Sequence, residues 1–120
     1  LKLMGVSGEA NVKIGSLQLN KNKIRSGESL LFSFEIISNS KKSQKLVIDY
    51  LIHFKKANGS LKSKVYKLKT IELKPNETLF IQKSHSLRPI TTMVYYSGDH
   101  EVSIQVNGKV VSNKPWYLEI

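Results

Sequence analysis

Eleven residues in three separated stretches carry the chemistry of phosphate recognition. Lys21, Lys23 and Arg25 form the first stretch, Lys55, Lys56, Lys62 and Lys64 the second, and Arg88, Thr91, Thr92 and Tyr95 the third. An ammonium or guanidinium group neutralises a phosphate, a threonine hydroxyl hydrogen-bonds its oxygens, and a tyrosine ring packs on a sugar or stacks on an exposed base. No acidic residue interrupts any of the three stretches. The whole chain leans the same way, with 19 Lys and Arg against 9 Asp and Glu and a net charge of +10. Such a surface attracts polyanions and speeds their encounter, which makes nucleic acid the leading partner class. A lysine-rich surface that serves solubility alone is the plain alternative. Tyr95 and Tyr96 also allow a second role, since a tyrosine in such a loop can anchor it by bonding backbone.

Other chemistry fits less well. His53, His85 and His100 invite a metal, and His85 and His100 are expected to approach each other where one strand ends and the next begins. With no Cys and no local carboxylate cluster, structural histidines fit better than a ligand set. Ser97, Asp99 and His100 resemble a triad on paper, but adjacent residues of a strand point to opposite faces. No phosphate-cradling glycine loop, metalloprotease pair or nucleophile elbow is present. The expectation is a binding module with no catalytic residue, no metal and no cofactor of its own.

The elements that must position these residues follow from hydrophobic periodicity. No segment shows a convincing 3.6-residue period, whereas alternation at period two recurs between turn signals. Residues 28–39 place Leu30, Phe32, Phe34 and Ile36 on one face, and residues 45–55 do the same with Leu46, Ile48, Tyr50, Ile52 and Phe54. Further strands are predicted over 62–70, 77–86, 100–107 and 109–120, with Tyr66, Leu68, Leu79, Ile81, Val102, Ile104, Val106, Trp116 and Leu118 inward. Ser26-Gly27, Asn58-Gly59, Pro75-Asn76, Ser97-Gly98 and Asn107-Gly108 are among the turn signals between them. Asn107-Gly108 is the most specific, because both residues tolerate the positive φ of a two-residue hairpin turn. The first strand changes phase between Val12 and Ile14 on one side and Leu17 and Leu19 on the other, which predicts a bulge at Gly15-Ser16 and a crossing between sheets. The sum is an all-β, immunoglobulin-like sandwich of about seven antiparallel strands.

In a sandwich of this order, the connections after the first, third and fifth strands lie at one end. All three cationic stretches fall on those connections, so an electropositive rim is expected there. The opposite end holds Lys41, Lys42, Lys45, Lys74 and Lys109, tempered by Glu72 and Glu77. Residues 87–99 are long for a connection in a compact domain, and such loops are often binding loops.

At 120 residues the chain suits a single domain, read as a tail over 1–10 and the sandwich over 11–120. No apolar run approaches the roughly 18 residues of a membrane helix, and no signal-peptide pattern opens the chain. The opening Leu1 suggests a fragment or a processed chain, and the absence of Cys points to the cytoplasm.

Several stretches resemble a known family. Residues 48–59 (Ile48-Asp49-Tyr50-Leu51-Ile52-His53-Phe54-Lys55-Lys56-Ala57-Asn58-Gly59) and Lys64-Val65-Tyr66-Lys67-Leu68-Lys69 are similar to the C-terminal immunoglobulin-like domain of AlkC-type bacterial DNA alkylation-repair glycosylases. Residues 83–92, beginning Lys83-Ser84-His85-Ser86-Leu87-Arg88, extend the resemblance, as do Tyr96-Ser97-Gly98-Asp99-His100 and Ile104-Gln105-Val106-Asn107-Gly108. The resemblance implies a parent in which N-terminal HEAT-like repeats grip the duplex and excise alkylated bases, while this domain helps to encircle the DNA. Catalytic residues would then lie in the repeats.

The expected function is therefore a DNA-binding accessory domain that contacts the duplex backbone, monomeric and without a membrane partner. Two rival readings stand beside it: a protein-interaction module of a surface or secreted protein that pairs through an edge strand, and a sandwich-type protease inhibitor using the loop over 87–99.

Overall fold

A strand with alternating residues has one apolar face, and two such faces are stable only when stacked against each other. The computed structural model describes residues 11–88 and 94–120, in which nine strands form two sheets. The expected tail over 1–10 lies outside the described residues. The strands are β1 (Val12–Ile14), β2 (Gln18–Leu19), β3 (Lys23–Arg25), β4 (Ser29–Ser38), β5 (Gln44–Lys55), β6 (Leu61–Leu73), β7 (Thr78–Ser86), β8 (Gly98–Val106) and β9 (Lys109–Glu119). In one sheet β4 pairs with β7 along one edge and with β1 and β2, end to end, along the other. The other sheet runs β3-β9-β8-β5-β6. The core between them holds Leu30, Phe32, Phe34 and Ile36 of β4, the five alternating residues of β5 from Leu46 to Phe54, and Val102, Ile104, Trp116 and Leu118. This is an immunoglobulin-like β-sandwich, with its inward faces set as parity predicts. Among the described residues no helix is long and apolar enough to cross a membrane.

The first strand departs from expectation. The break at Gly15-Ser16 is present, but β1 and β2 both pair with β4, so the chain stays on one sheet there. The Gly15 N–H donates to the Glu35 carbonyl at 2.8 Å, and a Cβ at Gly15 would lie 3.3 Å from Glu35 Cβ. The crossing comes later, after Asn20, and delivers β3 onto β9 in a parallel ladder centred on buried Ile24. The expectation of antiparallel pairing throughout is corrected by this ladder. A three-residue strand with one apolar anchor is too short to show a period, and tertiary pairing made it a strand.

The turn after β5 decides where β6 goes. Lys56 N–H donates to the Ser60 carbonyl at 2.8 Å, and Gly59, at φ 86°, donates to the Lys56 carbonyl at 2.9 Å. Asn58 Oδ1 accepts from the Ser60 N–H and Oγ–H. This tight hairpin sends β6 back along β5 from Leu61 to Leu73, and β6 and β7 share no ladder. The sandwich is left with an open flank between them. At the other end Asn107 and Gly108, at φ 50° and 84°, form the expected hairpin between β8 and β9.

Candidate nucleic-acid interface

One residue of the cationic set is fixed with unusual care. His100 is fully buried at the start of β8, with its ring against Trp116 (centroids 4.8 Å) and edge-on to Phe54 (5.9 Å). The Lys55 backbone N–H donates to its Nε2 at 3.3 Å. An amide can only donate, so the ring proton sits on Nδ1 and is given to the Gly98 carbonyl at 3.0 Å. Gly98 in turn has φ +141°, and a Cβ there would lie 2.7 Å from Lys55 Nζ. The side chain of Lys55 thus lies across a bare glycine, and its backbone is held by a neutral imidazole.

Beside Lys55 opens a cleft of about 400 Å³, framed by Lys56, Lys62, Val94 and Tyr96 with Phe54 and Ala57 behind. Lys55, Lys56 and Lys62 form no ion pair with a carboxylate among the described residues. The two loop tyrosines divide their roles. Tyr95 is half-buried and stacks on Phe54 (5.8 Å, 21°), which anchors the loop, whereas Tyr96 stays 39% exposed at the cleft. Composition allows either tyrosine both roles; Tyr95, named among the interface residues, is the one packed inward, and Tyr96 is the ring left at the cleft. Only the packing on Phe54 separates the two.

The other predicted positions are distributed differently. Lys23 and Arg25 lie on β3 rather than in a connection, and the first stretch meets carboxylates brought from elsewhere. Lys21 pairs with Glu28 at 2.9 Å, while Lys23 and Arg25 share Glu119 at 3.5 and 3.4 Å. Exposed pairs of this kind stabilise little, but they reduce the local positive potential. The Arg25 backbone N–H and the Lys21 ammonium hold the Glu28 carboxyl below the usual carboxylate range. Arg88 is exposed just beyond β7, with its N–H on Ser86 Oγ at 3.3 Å. Thr91 and Thr92 lie outside the described residues. Lys64 projects from β6 toward the open flank, its ammonium 5.8 Å from the Tyr66 ring centroid.

The three histidines occupy three separate clusters, so His85 and His100 do not join in a common site. His85 meets Tyr50 Oη through Nδ1 at 2.8 Å and stands edge-on to Tyr66 at 4.6 Å. His53 bridges Ser63 (2.6 Å) and Ser103 (2.9 Å), and Asn113 Nδ2 donates to Ser103 at 2.7 Å. That row ties β6, β5, β8 and β9 together across the outer face of the larger sheet. No group of three or more metal-ligating side chains occurs among the described residues.

Burial pushes the His85 imidazole below its ordinary value, and the Lys83 and Lys64 ammonium groups push further. Burial also lowers His100, with Lys55 adding to it, while the Gly98 carbonyl and Asp99 oppose the shift. The unfolded chain takes up these protons near pH 6.5 and the folded chain only at lower pH. In that interval the unfolded state binds more protons, so stability falls as pH falls. Thermal denaturation should therefore give a midpoint that declines as pH drops below about 6.5. A midpoint that is flat or rises between about pH 7 and 5.5 contradicts the assignment.

Comparison with known proteins agrees with this architecture. Residues 13–120 match the family described as "Uncharacterised protein YhaZ, C-terminal Ig-like domain". The chain is 36% identical over 110 residues to the uncharacterized protein YhaZ of Bacillus subtilis (strain 168), covering 92% of this chain and 30% of that protein. Among solved structures it is similar to Pseudomonas fluorescens alkylpurine DNA glycosylase AlkC bound to DNA containing an abasic site analog. That match has a TM-score of 0.91 and 34% identity, over 93% of this chain and 31% of the glycosylase. A β-glucosidase from Erythrobacter marinus gives a TM-score of 0.75 at 13% identity, covering 90% of this chain and 15% of that enzyme, and shares the fold alone. The chain thus spans about a third of the length of the YhaZ and AlkC relatives. With the match running from the first strand to the final residue, the chain belongs to the YhaZ C-terminal Ig-like domain family.

Proposed function

We propose that this chain is a DNA-contacting accessory domain of a cytoplasmic, alkylation-repair protein, with base excision carried out by a helical-repeat region outside these 120 residues. The observation that carries the reading is the cleft where Lys55, Lys56 and Lys62 stand together without carboxylate partners among the described residues. The likeness to AlkC, a DNA glycosylase solved with DNA, supports it. Such a surface binds by neutralising backbone phosphates and releasing their counterions, largely without regard to base sequence. Tyr96 adds a ring at the same place, suited to packing on a sugar.

The edge-pairing alternative is less well supported. The free edge strand β6 carries Lys62, Lys64, Lys67 and Lys69, and lysines on an edge discourage addition of a further strand. The protease-inhibitor reading rests on the loop whose residues 89–93 lie outside the described residues.

The test is fluorescence anisotropy of a labelled duplex at two salt concentrations. The combined variant Lys55→Ala, Lys56→Ala, Lys62→Ala should bind at least about tenfold more weakly at low salt. Its slope of log affinity against log salt should be shallower by about 0.9 for each phosphate contact removed. Equal affinity and equal slope in the two proteins would overturn the reading.

A further inference from the structure

The flank between β6 and β7 breaks the parity rule that the rest of the sandwich obeys. By register, Lys62, Lys64 and Tyr66 of β6 sit beside the inward residues Phe54, Ile52 and Tyr50. On β7, Ile81, Lys83 and His85 likewise sit beside buried Phe34, Phe32 and Leu30. These positions face the space between the sheets, where apolar residues are expected, yet four of the six are lysine or histidine. Each strand is the edge of its sheet, and among the described residues no third element covers the gap with a ladder.

Lys64 and Lys83 form no ion pair with a carboxylate among the described residues, and both act electrostatically on His85. β7 contains no acidic residue, and β6 contains only Glu72, at its far end beside Lys45. Lysines pointing inward at an edge can serve merely to prevent aggregation. That purpose does not account for the way His85 is held. Tyr50, whose phenol burial pushes up to about 12, remains protonated, and its Oη lies 2.8 Å from His85 Nδ1 and fixes the ring. The other ring nitrogen, Nε2, has no hydrogen-bond partner among the described residues. Tyr66, stacked on Tyr50 at 5.1 Å, completes the support. The result is a fixed imidazole with an unpartnered nitrogen beside the Lys64 and Lys83 ammonium groups, an arrangement suited to the several oxygens of one phosphate once Nε2 carries the ring proton.

We propose that this open flank is a second phosphate-binding surface, on which Lys64, Lys83 and His85 receive backbone oxygens of a nucleic acid. It deepens the preceding reading, on which the choice of nucleic acid rests, by extending the contact from the cleft along the side of the sandwich. Lys62 lies at the junction, two residues from Lys64, and so belongs to both surfaces.

The experiment follows the His85 ring by heteronuclear NMR in the whole 120-residue chain. Inorganic phosphate is titrated against chloride at fixed ionic strength, and a short duplex is titrated separately. Phosphate should shift the His85 ring signals saturably, and the double variant Lys64→Ala, Lys83→Ala should weaken that response by about tenfold. Both side chains are exposed in the open flank, so the variant should keep the amide spectrum of the folded core. The duplex should shift His85 as well, and its salt slope should be shallower by about 1.8 in the variant. An absent phosphate response, or an unchanged one in the variant, overturns the site. Duplex shifts at Lys56 and Tyr96 without shifts at His85 overturn the flank and leave the cleft reading standing. Phosphate shifts without any duplex binding overturn the nucleic-acid assignment together with the proposed function.

Discussion

Replacing Gly98 by alanine is expected to lower the unfolding free energy by roughly 2–4 kcal/mol and to displace Lys55. Two effects combine. At φ +141° an L-residue is strained, and such conformations cost on the order of 1–3 kcal/mol. The added methyl also strikes the side chain of Lys55, whose Nζ would lie 2.7 Å from it. A lysine can swing aside more easily than backbone can move, so part of the expected loss is functional rather than thermodynamic. Denaturant unfolding measures the first part, and duplex binding by the folded fraction measures the second. An unchanged unfolding midpoint together with unchanged duplex affinity would show that the glycine does not seat Lys55.

The second large effect is expected at His100. Substitution by alanine removes the acceptor for the Lys55 N–H and the donor for the Gly98 carbonyl in one step. Each buried group left without a partner costs about 1–3 kcal/mol. The space vacated against Phe54 and Trp116 adds a cavity cost. The loss should come to roughly 3–5 kcal/mol, a large share of the stability of a domain this size. Amide exchange supplies an independent check, since the Lys55 N–H should lose protection more than its neighbours on β5. Wild-type protection at Lys55 in the alanine variant would refute the role assigned to the imidazole.

Both predictions concern residues that carried no signal for the role they play. His100 was legible only as a histidine beside Asp99, and Gly98 only as half of a turn signal. Their joint function arises because β5 and β8 are adjacent, which brings position 55 against positions 98 and 100. Chain separation of 45 residues conceals such a contact from any local reading. Glu28 and Glu119 illustrate the same limit with opposite effect. Lys21, Lys23 and Arg25 looked unopposed along the chain, yet the turn after β3 and the end of β9 place carboxylates beside them. Lys55, Lys56 and Lys62 differ because the β5–β6 hairpin joining them contains no acid and no carboxylate pairs with them among the described residues.

Strand positions were legible wherever six or more residues alternated, as in β4, β5, β8 and β9. Parity is a property of the extended backbone itself, since successive side chains must point to opposite faces whatever the partner. Asn107-Gly108 was legible for a similarly local reason, the tolerance of both residues for positive φ. Where local pattern was thin, as at Lys23-Ile24-Arg25, a strand exists only because β9 offers it a ladder.

Taken alone, then, the amino-acid order determined an all-β sandwich, its inward residues and its excess of positive charge, because periodicity, turn chemistry and composition act within a few residues. The tertiary structure alone decided which cations stand free and which meet a carboxylate, which tyrosine anchors the loop, and that β6 and β7 leave an open cationic flank. Those outcomes depend on distances between segments far apart in the chain, and only strand pairing across the two sheets sets them.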